Sequence, residues 1–392
     1  MPRAVYVLGL AIFAQGTSEL MLAGLLPELS TDLGVSIPAA GLLISAFALG
    51  MLVGAPLLAV LTARRSRQAT LLILLAIFVL AHLVAALTSD YGVLLATRVV
   101  AAFVYAGFWT VASVAAVGLA GPAARGRAMS IVAGGLTVAT VVGLPAGTAL
   151  AQHLGWRAAF WAVAVLSAAA MIMIVRSIPG GRPAETGSLR DELTAIRNPR
   201  LWLAYAITAV STAALLATFS YLAPLLIEAT GVPASWVPLI LGLYGVGSVI
   251  GIAVGGRFAD RRPFATLAIA IAGVAVWSAA LAIMTGSMVI AIPAIVLLGA
   301  FGFASNPAIN ARVFGLAGRA PTLAAAFNIS AFNLGITLGP YLGGRVLEAG
   351  AGYSFVAVTG ALLAVLALGL VALAHRTEPR RRAAGRTLLR AR

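Results

Sequence analysis

The chain has 392 residues, 61% of them hydrophobic and 9% charged, with 26 basic against 11 acidic residues and a formal net charge of +15. A soluble domain averages about 25% charged residues, so this composition excludes one and fits a chain of membrane spans, each of about 20 apolar residues. Cysteine and lysine are both absent, which excludes disulfides, thiolate metal sites, cysteine nucleophiles and the G-x-x-x-x-G-K-[ST] loop of an ATP-driven motor.

Taken in chain order, the apolar windows place twelve spans at about 4–27, 40–62, 70–88, 92–117, 126–150, 157–176, 201–227, 237–256, 264–284, 288–313, 321–344 and 352–374. With the N-terminus inside, every basic residue except Arg98, Arg157 and Arg345 falls on the cytoplasmic side. That is the positive-inside bias, and it puts both termini in the cytoplasm. Arg3 before an apolar run resembles the start of a signal peptide, but the run continues through Glu19 to Pro27 and keeps the span count even, so it reads as a retained first helix. The basic tail meets anionic headgroups or water rather than nucleic acid.

The chain also repeats itself. At an offset of 197, Pro27 matches Pro224, Gly34 matches Gly231, Gly50 and Gly54 match Gly247 and Gly251, and Arg64 and Arg65 match Arg261 and Arg262; at 196, Gly143 and Gly147 match Gly339 and Gly343. The expected fold is an all-α membrane protein, with twelve transmembrane helices in two pseudo-symmetric six-helix bundles. The N-terminal bundle is 1–176, a cytoplasmic linker 177–200, the C-terminal bundle 201–374 and a basic cytoplasmic tail 375–392. Two such halves around a central site are what alternating access requires.

The chemistry is sparse. Glu19, in Gln15-Gly16-Thr17-Ser18-Glu19, lies roughly 20 Å into a core about 30 Å thick and is the one acid clearly deep in a span. An ionised carboxylate there is expensive unless it faces water or a partner, or takes up a proton. Glu19 is therefore a proton-coupling group or a protonated carboxyl bonding a neighbouring helix. Arg98 enters the fourth span from the opposite side and reaches a similar depth, roughly 9 Å below the outer boundary. It either acts on Glu19, directly or through water, or snorkels to the outer headgroups. His82 in the third span is more often a structural hydrogen-bonder than a proton relay.

Gly134, Gly143, Pro145 and Gly147 interrupt the fifth span, and Gly339, Pro340 and Gly343 the eleventh; both sets fit tight packing, and their presence in both halves favours gating. The loop Gly256-Arg257-Phe258-Ala259-Asp260-Arg261-Arg262-Pro263 combines a close-packing Gly256 with Asp260 and Arg261, which can pair at helix ends; its first-half copy has Ala63 in place of the acid. Phe13, Gln15, Met21, Tyr105, Phe108, Phe219, Tyr221, Asn306 and Asn333 are candidate contacts for a cargo. Asn310 stands one turn from Asn306, and hydrogen bonds between helices fit these Asn residues and Asn328 equally well. Three widely spaced His and no Cys offer no metal cluster.

Twelve spans in two halves, the Gly256–Pro263 loop, Arg98, the fifth-span Gly/Pro pattern and Gly155-Trp156-Arg157-Ala158-Ala159-Phe160-Trp161 together resemble the major facilitator superfamily, and within it the drug:proton antiporters. Gly16-Thr17-Ser18-Glu19 with Ala23-Gly24-Leu25-Leu26-Pro27 and Ala40–Met51 is similar to the actinobacterial chloramphenicol exporters; sugar and purine-nucleoside exporters share parts of Gly16–Pro27. The resemblance implies a proton-coupled exporter of a small drug in the plasma membrane, with Glu19 as the coupling acid and Arg98 as the fourth-span basic residue. Sugars or nucleosides are the alternative cargo, and a polytopic enzyme or receptor the remote alternative. Its partners would be a drug, protons and the bilayer, without cofactor, metal or nucleic acid, and its working unit a monomer. Ala63 and Ser66 depart from the family's loop pattern.

Overall fold

A computed structural model of the chain describes residues 1–62, 65–120, 124–178, 198–259, 261–284, 286–317 and 321–377. Most of the expected linker and tail, and the loop acid Asp260, lie outside them. Twelve spans follow in order: Arg3–Leu33, Ile37–Thr62, Arg67–Leu87, Tyr91–Ala120, a fifth from Arg125 to Leu154, Trp156–Ser177, a seventh from Pro199 to Ala229, Val237–Ala259, Pro263–Ile283, Met288–Ala317, Pro321–Glu348 and Tyr353–Thr377. Counted on the described residues alone, eleven are long and apolar enough to cross a membrane.

The first span runs six residues past its expected end at Pro27 and stops at Gly34, whose φ of 63° ends the helix in the left-handed region. Its repeat mate Gly231 has a φ of 72°. Ser66, which departs from the family's glycine, caps the third span by accepting the Ala69 N–H at 3.3 Å.

Helix pairing repeats as the sequence does. The first span packs on the fifth and sixth, the second on the fourth, and the third on the fourth and sixth; the seventh packs on the eleventh and twelfth, the eighth on the tenth, and the ninth on the tenth and twelfth. Glycine explains the closest of these pairs. A Cβ on Gly50 or Gly54 would strike the Val99 or Phe103 carbonyl, and one on Gly247 or Gly251 would strike the carbonyl of Val296 or Ala300. Each residue in the first pair of contacts has its counterpart 197 positions on. Where lipid removes the hydrophobic drive for helices to associate, such close backbone packing carries much of the association.

Between the two sets the second span meets the eleventh and the fifth meets the eighth. Ser45 Oγ donates to the Thr337 carbonyl at 2.9 Å, Gly245 presses on the Thr140 carbonyl, and Gln152 Nε2 donates to the Ala234 carbonyl at 2.8 Å. All three contacts lie in the half of the spans away from the termini.

Proline breaks two spans and spares others. The fifth is helical over Arg125–Val138, turns once as a π-helix at Ala139–Gly143 and resumes at Leu144–Leu154. Pro145 offers no N–H and its ring crowds the carbonyl four residues back, at Val141, inside that π turn. In the seventh span the helix stops at Phe219, and Pro224 stands four residues after its C-cap, Ser220. Pro340 behaves differently: the eleventh span continues through it as one helix. The interruption expected in both the fifth and eleventh spans thus occurs only in the fifth. Its conformational counterpart in the second half is the break in the seventh.

Gly251→Leu should destabilise the purified protein by about 2–3 kcal/mol through overpacking against the tenth-span backbone. Gly134, with no atom within 4 Å of its would-be Cβ, should accept Ala with a gain of about 0.5–1 kcal/mol from helix propensity. Thermal unfolding in detergent measures both.

Candidate functional site

A buried guanidinium has to satisfy its donors locally, because no water reaches it. Arg98 is 1% exposed, and two of its nitrogens reach the first span: Nη1 donates to Ser18 Oγ at 2.7 Å and Nη2 to the Ser18 carbonyl at 2.8 Å. Phe47 of the second span lies under the guanidinium, 4.2 Å from Cζ to ring centroid, and Phe160 of the sixth is 5.8 Å away. The Nε of Arg98 has no hydrogen-bond partner among the described residues.

His82 completes the cluster from the third span. Its Nε2 lies 2.6 Å from Ser18 Oγ and its Nδ1 2.8 Å from the Phe78 carbonyl. Phe78 packs on the imidazole at 4.1 Å between centroids and on Tyr105 at 6.4 Å; Tyr105 in turn meets Phe47 and, edge-on, Trp109. Five helices therefore meet around Arg98, three of them through Ser18.

Glu19 is the next residue, half-buried at the middle of the 31-residue first span. The expected equality of depth with Arg98 holds, since Arg98 bonds the neighbouring residue. Direct pairing does not: Glu19 and Arg98 form no ion pair within 4.0 Å among the described residues, and the guanidinium fork is turned to Ser18 instead. Snorkelling is also corrected, because Arg98 points into the bundle.

The other candidates divide by surroundings. Gln15 Nε2 donates to the Ala11 carbonyl, and its Oε1 is buried without a partner. Phe13 and Asn306 are half-buried, and Phe108 is fully enclosed. Met21 lies where Gly147 would carry a Cβ, and Thr17 packs against Gly143, so both glycines serve contact between the first and fifth spans. Gly134 faces open space, and Gly135 makes the close approach to Gly9. Phe219 stacks on Tyr244 with centroids 4.5 Å apart. Tyr221 is enclosed at the junction of the halves: its hydroxyl donates to the Pro340 carbonyl at 2.8 Å while the ring lies against Gly41, Gly343 and Gly344. Gly339 abuts the Ala213 carbonyl and Ala217 N in the seventh span. Gly256 has only an ordinary contact to Pro307, and Arg261 is exposed.

In the second half the polar groups bond one another. Asn328 Nδ2 donates to Asn310 Oδ1 at 3.0 Å, and Thr208 Oγ1 donates to Asn328 Oδ1 at 2.9 Å. Asn333 Nδ2 is held by the Ile329 carbonyl, leaving Oδ1 buried without a partner. At the end away from the termini, Asp32 accepts from Trp156 Nε1 and Arg157 Nη1 and so ties the first span to the sixth. Among the described residues no group of three His, Asp or Glu side chains could hold a metal.

Comparison with known proteins follows the same architecture. A family model for the Major Facilitator Superfamily matches residues 8–331. The chain belongs to the major facilitator superfamily. It is 42% identical over 381 residues to a chloramphenicol resistance protein of Streptomyces lividans, covering 96% of this chain and 97% of that one. It is 37% identical to the inner membrane transport protein YdhP of Escherichia coli K12, covering 95% and 96%. Among solved structures, the nucleoside transporter NupG matches with a TM-score of 0.80 at 15% identity, covering 95% of this chain and 98% of that one. As a superfamily member the protein is a multi-pass membrane transporter of small molecules and not an enzyme.

Ser18 escaped the sequence reading as a site residue, and His82 was not placed in the cluster. The signal was depth: each lies 15 residues from its helix's terminal-side end, at Arg3 and Arg67, roughly 22 Å along each axis. Ser18→Ala should cost about 1–3 kcal/mol, because it leaves a buried Arg98 donor and His82 nitrogen without partners. Ser305→Ala, which removes only a local bond to the Gly302 carbonyl, should cost less than about 1 kcal/mol. Thermal unfolding of the two variants in one detergent compares them.

Proposed function

We propose that this transporter exports a small, weakly polar drug, chloramphenicol or a close relative, in exchange for protons. The single observation that carries the reading is Glu19: a carboxyl at mid-span, beside the serine that holds Arg98, in a chain 42% identical to a chloramphenicol resistance protein. A carboxyl beside a fixed cation can release a proton to one side and regain it from the other, provided the two halves expose it in turn. The contacts of the second span with the eleventh and of the fifth with the eighth act as the gate on the side away from the termini, which is the outside if the arginine bias sets orientation. Gly143, Pro145 and Gly147 give that gate its bend on one side; on the other, Pro340 and Gly343 seat Tyr221 while Gly339 packs on the seventh span.

The two halves divide at the 177–200 linker, and the protein works as a monomer in the plasma membrane with both termini cytoplasmic. Phe13, Trp109, Phe303 and Asn306, half-buried in spans of both halves, are the cargo contacts of this reading. One proton moving through about 150 mV supplies about 3.4 kcal/mol, which supports a gradient of about 300-fold for a neutral solute.

In proteoliposomes, an imposed pH gradient should drive chloramphenicol movement by the native protein, and Glu19→Gln should abolish it with the protein still folded. Gradient-driven rates at the native level from Glu19→Gln would defeat the coupling assignment. Movement of a sugar or nucleoside in place of chloramphenicol would reassign the cargo.

A further inference from the structure

The cluster around Ser18 has a direction. Phe78 offers its carbonyl, which only accepts, so the hydrogen of a neutral His82 ring sits on Nδ1 at 2.8 Å from that oxygen. Nε2 is then bare, and the 2.6 Å contact to Ser18 Oγ has the serine hydroxyl as donor. With its hydrogen directed at His82, Ser18 Oγ presents its lone pairs to Arg98 Nη1 at 2.7 Å. The chain runs Arg98 to Ser18 to His82 to the Phe78 carbonyl, each N–H or O–H donating to the next group, from the fourth span through the first to the third.

His82 is 1% exposed and Ser18 fully buried, so no solvent stands ready to replace a lost partner. Without an acceptor at Nε2 the serine hydroxyl would turn to a backbone carbonyl of its own helix and swing its lone pairs away from Arg98. The second grip, Nη2 on the Ser18 carbonyl, would then hold the guanidinium alone. A second proton on His82 would turn Nε2 into a donor, so Ser18 Oγ would accept from both His82 and Arg98 and its own hydrogen would have to turn elsewhere.

We propose that His82 is a positioning residue for Arg98: by accepting the Ser18 hydroxyl it fixes the rotor that aims the serine oxygen at the guanidinium, and so holds Arg98 at the depth of Glu19. The assignment rests on the proton-coupled reading for its effect on transport, but the link itself is independent of cargo. His82 touches neither cargo nor the transported proton and acts through Ser18.

Three variants test it. His82→Phe keeps a ring for Phe78 and Phe160 to pack on but removes the acceptor. His82→Gln returns an oxygen near the position of Nε2. The third combines His82→Phe with Ser18→Ala. Expected in gradient-driven transport are a loss of about tenfold for His82→Phe, recovery to within about threefold by His82→Gln, and no loss in the combined variant beyond the worse single one, because both act on one contact. Losses that multiply in the combined variant, or a His82→Phe protein that transports as the native one does, would overturn it.

Thermal unfolding of the same set, without cargo, decides the link separately. Non-additive shifts for Ser18→Ala and His82→Phe support the chain, and additive shifts refute it. Were the native protein to move no chloramphenicol under a pH gradient, the proposed function would fail while the unfolding cycle still judged His82.

Discussion

A guanidinium carried to the middle of a bundle must find its partners there, and Arg98 finds them on one residue of another helix. Both grips on Ser18, side chain and carbonyl, fix the fourth span against the first at one register. Phe47 and Phe160 close over it from the second and sixth spans, and His82 reaches in from the third. Removing a partner from such a group leaves a buried charge uncompensated, which costs more than the bond contributes when made. The first half is therefore organised around a cation that lipid would otherwise exclude, and Glu19 is placed beside it by being next in sequence to its holder.

The second half keeps the scaffold but carries no charge at the positions that match Arg98 and Glu19. Glycine contacts at Gly50 and Gly54 recur at Gly247 and Gly251 on backbone partners displaced by the same 197 residues. At the position of Arg98 the repeat has Ile295, at Ser18 it has Leu215, and at Glu19 it has Leu216. Phe47, which lies under the guanidinium, corresponds to Tyr244, which stacks on Phe219 instead. Its neutral Thr208, Asn328 and Asn310 bond one another. The duplicated framework and the charged cluster at Ser18 agree with the proposed division of labour, in which the first half handles protons and both halves move.

Much of this was legible in the sequence because membrane spans obey few rules. Apolar windows gave the twelve helices, and the near-constant repeat offset matched Gly50 and Gly54 to Gly247 and Gly251, but which helices those glycines join is visible only in the packing. Depth counting put Glu19 and Arg98 on one level. What it could not give is rotation about each helix axis: Ser18 and Glu19 are adjacent, yet Arg98 meets the first and not the second. The fate of each proline was hidden as well. Pro145 and Pro224 interrupt their helices while Pro27 and Pro340 do not, because neighbouring contacts rather than the residue itself decide whether the freed carbonyl is tolerated. Tyr221 looked like a cargo contact from its chemistry, and only packing against Gly41 and Gly344 reveals it at the junction of the halves.

The central claim is that one carboxyl exchanges its proton for cargo. Adding chloramphenicol to the purified protein in a weakly buffered solution, and following pH, addresses it most directly. The native protein should release protons on binding, and Glu19→Gln should bind or fail to bind without releasing any. Saturable binding by the native protein with no change in pH, at any starting pH between 6 and 8, would contradict the account.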